Sequence, residues 1–434
     1  MSMLAQSQAA RLIDWLIENA ITSEDGLEML SAYGDLLNAA DLPILRLNIA
    51  LPMLDPANRG VNLTWWRDQG ASMSVIAHEE AAPDPRQSPV LTLLAEGRQH
   101  ARWRLDRGES CDAYPIFDDL RQAQATEYLL DLVRFAKDVA IEGAAISYAT
   151  DRPGGFSPED VAVIEAQRNA FALAVYRSVL SRTMTLLLHA YVGPMAARRV
   201  LKGDVRRGQG EVIMAAVVLV DLKRFTALTD REEPMRVVGC LDQHLEALGS
   251  GIDAQGGEIV NFTGDGFVAI FPSKVRDRTP CLACTGALAA VETGLTANRA
   301  LQPARARSSE PWLPADLALH YGEVVFGNIG TASRIDFTVI GRAVNEASRI
   351  EALCDDLDRN VLISDVFARR CDQNLVDLGC FQLRGLVEPR RIWTVPDTIR
   401  GTSDHKQVQR QCQQSNSAAK SGCWSVEDQL DTRT

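Results

Sequence analysis

Nine consecutive residues, Val212 to Val220, are apolar, and the run ends abruptly at Asp221. Such a run, rich in valine and without polar alternation, is typical of a strand buried on both faces. A strand of that kind needs a sheet around it and helices to cover the sheet. The residues downstream supply them. A helical pattern around Met235 to Leu248 leads to Gly256-Gly257. A hairpin follows, Glu258 to Phe262 and Phe267 to Phe271, turning at Gly264-Asp265-Gly266. Cys281 to Arg299 reads as a helix, and Pro303 to Pro314 as a polar loop rich in proline and arginine. Strands are expected at Asp316 to His320 and Val324 to Phe326, a helix at Ala343 to Leu353, and further strands near Val361 and Phe381. Residues 210–396 are therefore predicted to form an α+β domain with a βαββαβ-like order.

The remaining residues divide around this domain. Within residues 1–155, Leu45 to Leu54 alternates as a strand does. Val61 to Trp66, Met73 to His78 and Ala101 to Leu105 read as further short strands. Glu127 to Ala140 reads as a helix, Ala144 to Ala149 as a strand, and Asp151 to Phe156 as a turn. Ser157, Pro158, Glu159 and Asp160 then form a helix-start signal. Val161, Ile164, Phe171, Val175 and Val179 give that helix one apolar face, running towards Tyr191 before Gly193-Pro194. It reads either as a core helix of the first domain or as a dimeric connector to the next, and one helix can serve as both. Residues 156–209 are taken as a helical connector, and 397–434, polar and Ser/Gln-rich, as a disordered tail.

Composition excludes several classes of function. The formal net charge of -12 disfavours broad attraction to nucleic acid or an anionic membrane. An anionic substrate would need local capture by metal ions, arginines and backbone N–H groups. No apolar run approaches the roughly 18 to 20 residues of a membrane span. Leu12 to Ile21 is broken by Asp14, Glu18 and Asn19, so it reads as an amphipathic helix and not as a signal peptide. The nine scattered cysteines fit a reduced cytoplasmic protein. Cys281 and Cys284 form a CxxC with no second pair at zinc-site spacing, and read as neighbours in a packed helix.

Two carboxylates stand out. Asp221 ends the buried strand and Asp265 occupies the hairpin tip. Either alone reads as a turn former or helix cap. Together, at adjacent strand ends of one sheet, they would reach the same edge and ligate Mg²⁺, which is held through one or two carboxylates plus substrate phosphates. Two such ions can activate an attacking hydroxyl and stabilise a leaving phosphate. The next segment, Leu222-Lys-Arg-Phe-Thr226, opens a helix whose free N–H groups would seat a polyphosphate. Lys223 and Arg224 are either helpers there or merely solvated. Asn345 and Arg349, four apart, share one helix face. They read as solvated surface, or as an amide for a ribose and a guanidinium for phosphoryl charge.

Taken in order, these segments resemble the class III nucleotidyl cyclases over about residues 181–396. The carrying motifs are Asp221-Leu-Lys-Arg-Phe-Thr226, Asn261-Phe-Thr-Gly-Asp-Gly-Phe267, Gly327-Asn-Ile-Gly330, Asp336-Phe-Thr-Val-Ile-Gly341, Val344-Asn-Glu-Ala-Ser-Arg349 and Leu383-Arg-Gly-Leu-Val-Glu-Pro389. The resemblance implies a ferredoxin-like sheet, head-to-tail pairing of two catalytic domains in a homodimer, and two Mg²⁺ (or Mn²⁺) per active site. It places the metals on Asp221, Asp265 and the Leu222 backbone carbonyl. Asn345 orients the ribose and Arg349 stabilises the α-phosphate, both supplied by the partner subunit. Phe225, Thr226, Asn261, Thr338 and Arg384 complete the substrate contacts. The implied reaction is attack of the ribose 3'-oxygen on the α-phosphorus, with pyrophosphate leaving.

For the purine, Thr338 looks like the adenylate-type branch, whereas Asn261 stands where such enzymes usually carry lysine. Guanylate-type members typically place glutamate and cysteine at these positions, and neither is present. An asparagine amide both donates and accepts, so it serves adenine or guanine. The expectation is an adenylate cyclase using ATP. The rivals are a guanylate or dual-specificity cyclase using GTP, and a module that binds nucleotide without turning it over. The first domain is expected to be sensory, with an unknown ligand, since Ala144 to Arg177 is similar to the closing strand and helix of GAF domains. Trp65, Trp66 and Trp103 would line a pocket or pack the core.

Overall fold

A computed structural model describes residues 2–23, 25–80, 84–108, 114–139, 141–273, 280–308 and 310–396. The tail expected at 397–434 lies outside the described residues. The chain divides into two compact units between Tyr191 and Val192.

In the first unit, helices α1 (Met3–Thr22) and α2 (Gly26–Ala39) precede strands β1 (Arg46–Pro52), β2 (Asn58–Trp66) and β3 (Gly70–Ala77). Helix α3 (Pro89–Ala95), strand β4 (His100–Arg104), helix α4 (Ile116–Gln122), and strands β5 (Glu127–Arg134) and β6 (Gly143–Thr150) follow. The six strands form an antiparallel sheet in the order β3-β2-β1-β6-β5-β4. Leu16, Tyr33, Ile49, Ile146 and Phe171 lie in a core on one face, whereas Leu93, Phe117, Tyr128 and Leu130 lie in a second core. Trp65 is core at 1% exposure, and Trp103 packs against Tyr114, Phe117 and Tyr128.

The helix expected over Glu127 to Ala140 is a correction: residues 127–134 are strand β5. This strand lies between β4 and β6, and its residues join both cores, Leu129 on one side and Tyr128, Leu130 and Leu132 on the other. With both faces apolar, the period of two disappears and a helical reading becomes possible. The two acidic residues are accommodated by partners. Glu127 pairs with Arg102 and accepts from Phe156 N–H, and Asp131 contacts His100 and Arg168.

Helix α5 (Pro158–Val192) opens with a reciprocal cap: Asp160 N–H donates to Ser157 Oγ at 3.2 Å, and Ser157 N–H donates to the Asp160 carboxylate at 2.6 Å. Ile164, Phe171, Val175 and Val179 bury its apolar face in the first unit's core. By length and composition alone the helix could also cross a membrane, and one-third of its most apolar stretch is buried. Core helices pass the same test.

The second unit opens with α6 (Pro194–Leu201), then β7 (Gly210–Leu222), α7 (Phe225–Thr229) and α8 (Pro234–Gly249). Strands β8 (Glu258–Phe262) and β9 (Gly266–Pro272), helix α9 (Leu282–Ser308), and strands β10 (Ala315–Gly330) and β11 (Ile335–Ile340) come next. The unit closes with α10 (Arg342–Glu351), α11 (Cys354–Leu357), β12 (Val361–Ser364), α12 (Asp365–Ala368), β13 (Val376–Phe381) and β14 (Arg390–Thr394). Sheet order is β13-β14-β12-β10-β7-β9-β8, with β11 paired to β10. The segment β7-α8-β8-β9-α9-β10 is a βαββαβ unit whose central strands lie in the order β10-β7-β9-β8, a ferredoxin-like arrangement.

The apolar run in β7 follows from cover on both sides. Ala216, Val218 and Val220 belong to one core with residues of α8 and α9, whereas Ala215 and Val217 belong to another with residues of α6 and α10. Cys281 and Cys284 are free, buried members of the first of these cores. Two expectations fail here. Residues 303–308 continue α9 and are not loop; Arg305 ties this end of the helix to Gln243 of α8 and to the Pro311 carbonyl. The two strands expected at Asp316 to His320 and Val324 to Phe326 are one strand, β10, paired without a break from Ala315 to Gly327 along β7. Gly322-Glu323 breaks the hydropathy but not the ladder.

Candidate active site

Asp221 sits near the end of β7, opposite Gly266 of β9 on one side and opposite Asp316 of β10 on the other. The β8–β9 turn brings Asp265 against it. Gly264 adopts φ +96°, which favours glycine, and Thr263 N–H donates to the Gly266 carbonyl at 2.9 Å. At Gly266 a Cβ would lie 1.9 Å from the Val220 carbonyl oxygen, so only glycine lets the hairpin tip close on β7. Leu222 N–H donates to the Asp265 carbonyl at 3.1 Å. The two carboxyl groups come within hydrogen-bonding contact. Burial, then the charge and hydrogen bond of Asp265, push the Asp221 carboxyl up to about 6.

Such a pair is poorly stable as two bare anions and suits a divalent cation between them. Among the described residues no group of three or more His, Cys, Asp or Glu is arranged to hold a metal ion. Two carboxylates and the Leu222 carbonyl would therefore leave coordination positions for water and substrate phosphate, as Mg²⁺ prefers. Phe225 and Thr226 begin α7 directly beyond this edge, although the helix is only five residues long.

Lys223 and three acidic residues not singled out in the sequence surround the pair. Lys223 is ion-paired to Asp316 and Asp355, so its charge is committed to these neighbours. Burial pushes Asp316 up to about 6. Burial and the charges of Asp221, Asp316 and Asp355 push Glu351, at the end of α10, up to about 7. Asp316 was unreadable locally because only the β7–β10 register places it beside Asp221.

Asn345 and Arg349 lie on α10, away from the buried Ala343, Ala347 and Ile350, with Asn345 exposed. Arg349 Nη2 lies 3.8 Å from where a Gly385 Cβ would be, so it neighbours the loop holding Arg384, which is itself exposed. Among the described residues no ion pair joins Arg349 to Asp221 or Asp265. Asn261 is exposed on β8 beside a bulge between Ile259 and Asn261, a device that re-aims side chains. Thr338, half-buried on β11, lies opposite Gly327 of β10, and β11 packs against β8. Asn261 and Thr338 thus sit on strands that pack together, and Asn345 and Arg349 share a face of α10 that neighbours the Arg384 loop.

Residues 210–389 match the model of the adenylate and guanylate cyclase catalytic domain. The chain carries a class III nucleotidyl cyclase domain. This cyclase domain is similar to the adenylate cyclase of Anabaena cylindrica, 30% identical over 166 residues, which are 38% of this chain and 32% of that one. It is also similar to adenylate cyclase 1 of Rhizobium meliloti, 29% identical over 189 residues, 43% of this chain and 28% of the relative. The match thus spans about a third of the length of these relatives. Among solved structures, the adenylyl cyclase CyaB from P. aeruginosa aligns with 45% of this chain and 100% of its own, at 23% identity and a TM-score of 0.38. The family match leaves the first unit unassigned.

Proposed function

We propose that the protein is an adenylate cyclase that converts ATP into 3',5'-cyclic AMP and pyrophosphate. The observation that carries this reading is the contact between the Asp221 and Asp265 carboxyl groups at one sheet edge. In this reading, Asp221, Asp265 and the Leu222 carbonyl hold two Mg²⁺ or Mn²⁺ ions. When bound, these lower the pKa of the ribose 3'-hydroxyl and neutralise charge on the triphosphate. The N–H groups of Phe225 and Thr226 face the phosphates. Asn261 and Thr338 bind the adenine, and Asn345 fixes the ribose. The 3'-oxygen loses its proton to water or a substrate phosphate and forms a bond to the α-phosphorus, and the bond to the pyrophosphate oxygen breaks. Arg349 meets the charge that builds on the α-phosphoryl oxygens, and Arg384 is the candidate contact for the leaving phosphates.

The acidic edge and the Asn345–Arg349 face supply complementary halves of such a site. Head-to-tail pairing in a cytoplasmic homodimer would bring each edge to the other subunit's α10. Regulation is assigned to the first unit, read as GAF-like, acting through α5.

The test is incubation of purified, dimeric protein with ATP, and separately GTP, in Mg²⁺ or Mn²⁺, with analysis of cyclic products. Absence of any cyclic nucleotide rejects the reading and leaves a nucleotide-binding module. Because Asn261 stands exposed at its bulge without a lysine's charge, GTP turnover is the specific second reading. Mixing Asp221→Ala chains with Arg349→Ala chains should restore part of the activity. Failure in confirmed mixed dimers removes the shared site.

A further inference from the structure

Lys223 stands two residues beyond Asp221, yet its ammonium is turned away from solvent. The side chain is 11% exposed; Nζ lies 2.8 Å from Asp316 Oδ2 and also pairs with the Asp355 carboxylate on α11. Asp316 has a side-chain exposure of 6% and lies directly opposite Asp221 across the β7–β10 ladder. Opposed residues of an antiparallel pair project from the same face with Cβ atoms about 4.5–5.5 Å apart. Asp316 Oδ1 is buried and has no hydrogen-bond partner among the described residues. A third carboxylate therefore stands beside the proposed metal ligands, one oxygen held by Lys223 and the other uncommitted.

From this geometry we infer that Lys223 is a positioning residue that holds the Asp316 carboxylate out of the metal centre. The inference rests on Asp221 and Asp265 being the metal ligands. A third carboxylate would take a coordination position that a substrate phosphate needs, and would deepen the negative potential at the cation. Lys223 counters both effects, because it neutralises the charge of Asp316 and fixes its direction. The turn itself has other supports: Lys223 N–H donates to the Pro314 carbonyl at 2.8 Å, and Leu222 N–H to Asp265 at 3.1 Å. Loss of the lysine side chain leaves these backbone bonds in place.

The experiment is Mn²⁺ binding to the full chain near neutral pH without nucleotide, measured by calorimetry or by the paramagnetic signal of free Mn²⁺. Lys223→Met is expected to bind Mn²⁺ on the order of tenfold more tightly than the native protein. Lys223→Met combined with Asp316→Asn should return to about native affinity. Asp316→Asn alone removes one negative charge beside the site, leaves Lys223 paired only to Asp355 and should weaken binding, which keeps the idea open to refutation even where Lys223→Met does not fold. A merely structural role would give the opposite sign for Lys223→Met. The control is Asp265→Asn. If Mn²⁺ binding survives that change, the assignment of the metal ligands fails. If Asp265→Asn removes binding while Lys223→Met weakens it or leaves it unchanged, or Asp316→Asn fails to weaken it, the positioning role of Lys223 is overturned.

Discussion

Raising the pH in the absence of metal should destabilise the cyclase domain, and the acidic edge sets the size of the effect. Burial and Asp265 move the Asp221 carboxyl from 3.8 to about 6. Burial and three neighbouring aspartates move Glu351 from 4.5 to about 7. Burial raises Asp316 to about 6 even against the charge of Lys223, so counting Asp221 and Glu351 alone gives a lower bound. In the unfolded chain Asp221 and Glu351 ionise near pH 4, whereas in the folded domain they keep their protons to pH 6 or 7. The folded state therefore binds more protons between these limits. The corresponding stability is present below about pH 4 and is lost as pH rises through 6 to 7. Each pKa unit is worth about 1.4 kcal/mol, and both side chains are only half-buried, so solvent screens roughly half of it. About 2 kcal/mol should then disappear between pH 5 and 8, lowering the Tm of a domain this size by about 4–8 °C. Calorimetry of the EDTA-treated protein is the assay, with the transition that responds to Mn²⁺ assigned to the cyclase domain. Mn²⁺ at about a hundred times its pH 8 Kd should add back about 2.7 kcal/mol at pH 8, and the same concentration less at pH 5, where it must displace a proton. A metal-free transition whose Tm is flat or rising from pH 5 to 8 would refute the reasoning.

Three substitutions probe the proposed chemistry. Arg349→Ala should lower kcat by a factor equivalent to about 3 kcal/mol while KM for ATP changes little; a mainly KM effect in steady-state assays contradicts its role at the α-phosphoryl group. Gly266→Ala forces a Cβ to within 1.9 Å of the Val220 carbonyl oxygen. Calorimetry should find a loss of about 1–3 kcal/mol, with weakened Mn²⁺ binding, and native metal affinity in the folded variant would show that the hairpin tip need not touch β7. Asn261→Lys should raise the preference for ATP over GTP about tenfold in kcat/KM, whereas an unchanged ratio would mean that residue 261 does not face the base.

Elements whose signals are local were legible in the sequence. The β7 run, the Gly264-Asp265-Gly266 turn and the Ser157–Asp160 helix start each depend on residues a few positions apart. Misreadings occurred where tertiary context overrode such signals. Strand β5 lost its alternation because both its faces are covered. Pro303 suggested a loop, yet α9 continues past it, tied by Arg305 to α8 and the loop beyond. Gly322 suggested a break that the long β7–β10 ladder does not make.

The site divides in the same way. Asp221 and Asp265 could be paired from sequence because a strand end and a hairpin tip leave few places for them to go. Lys223 could not be assigned, since a lysine after a metal-binding aspartate reads equally as a phosphate helper or as solvated surface until its partners are known. Its partners lie on β10 and α11, far away in the chain, and only the register that sets Asp316 opposite Asp221 reveals them. That register has a physical consequence beyond packing. It places a surplus of carboxylates around one edge, so the edge depends on cations for its stability: one built in as Lys223, and others that would arrive with the nucleotide. An edge that is least stable when empty at neutral pH is one on which a metal–triphosphate complex has the most to gain by binding.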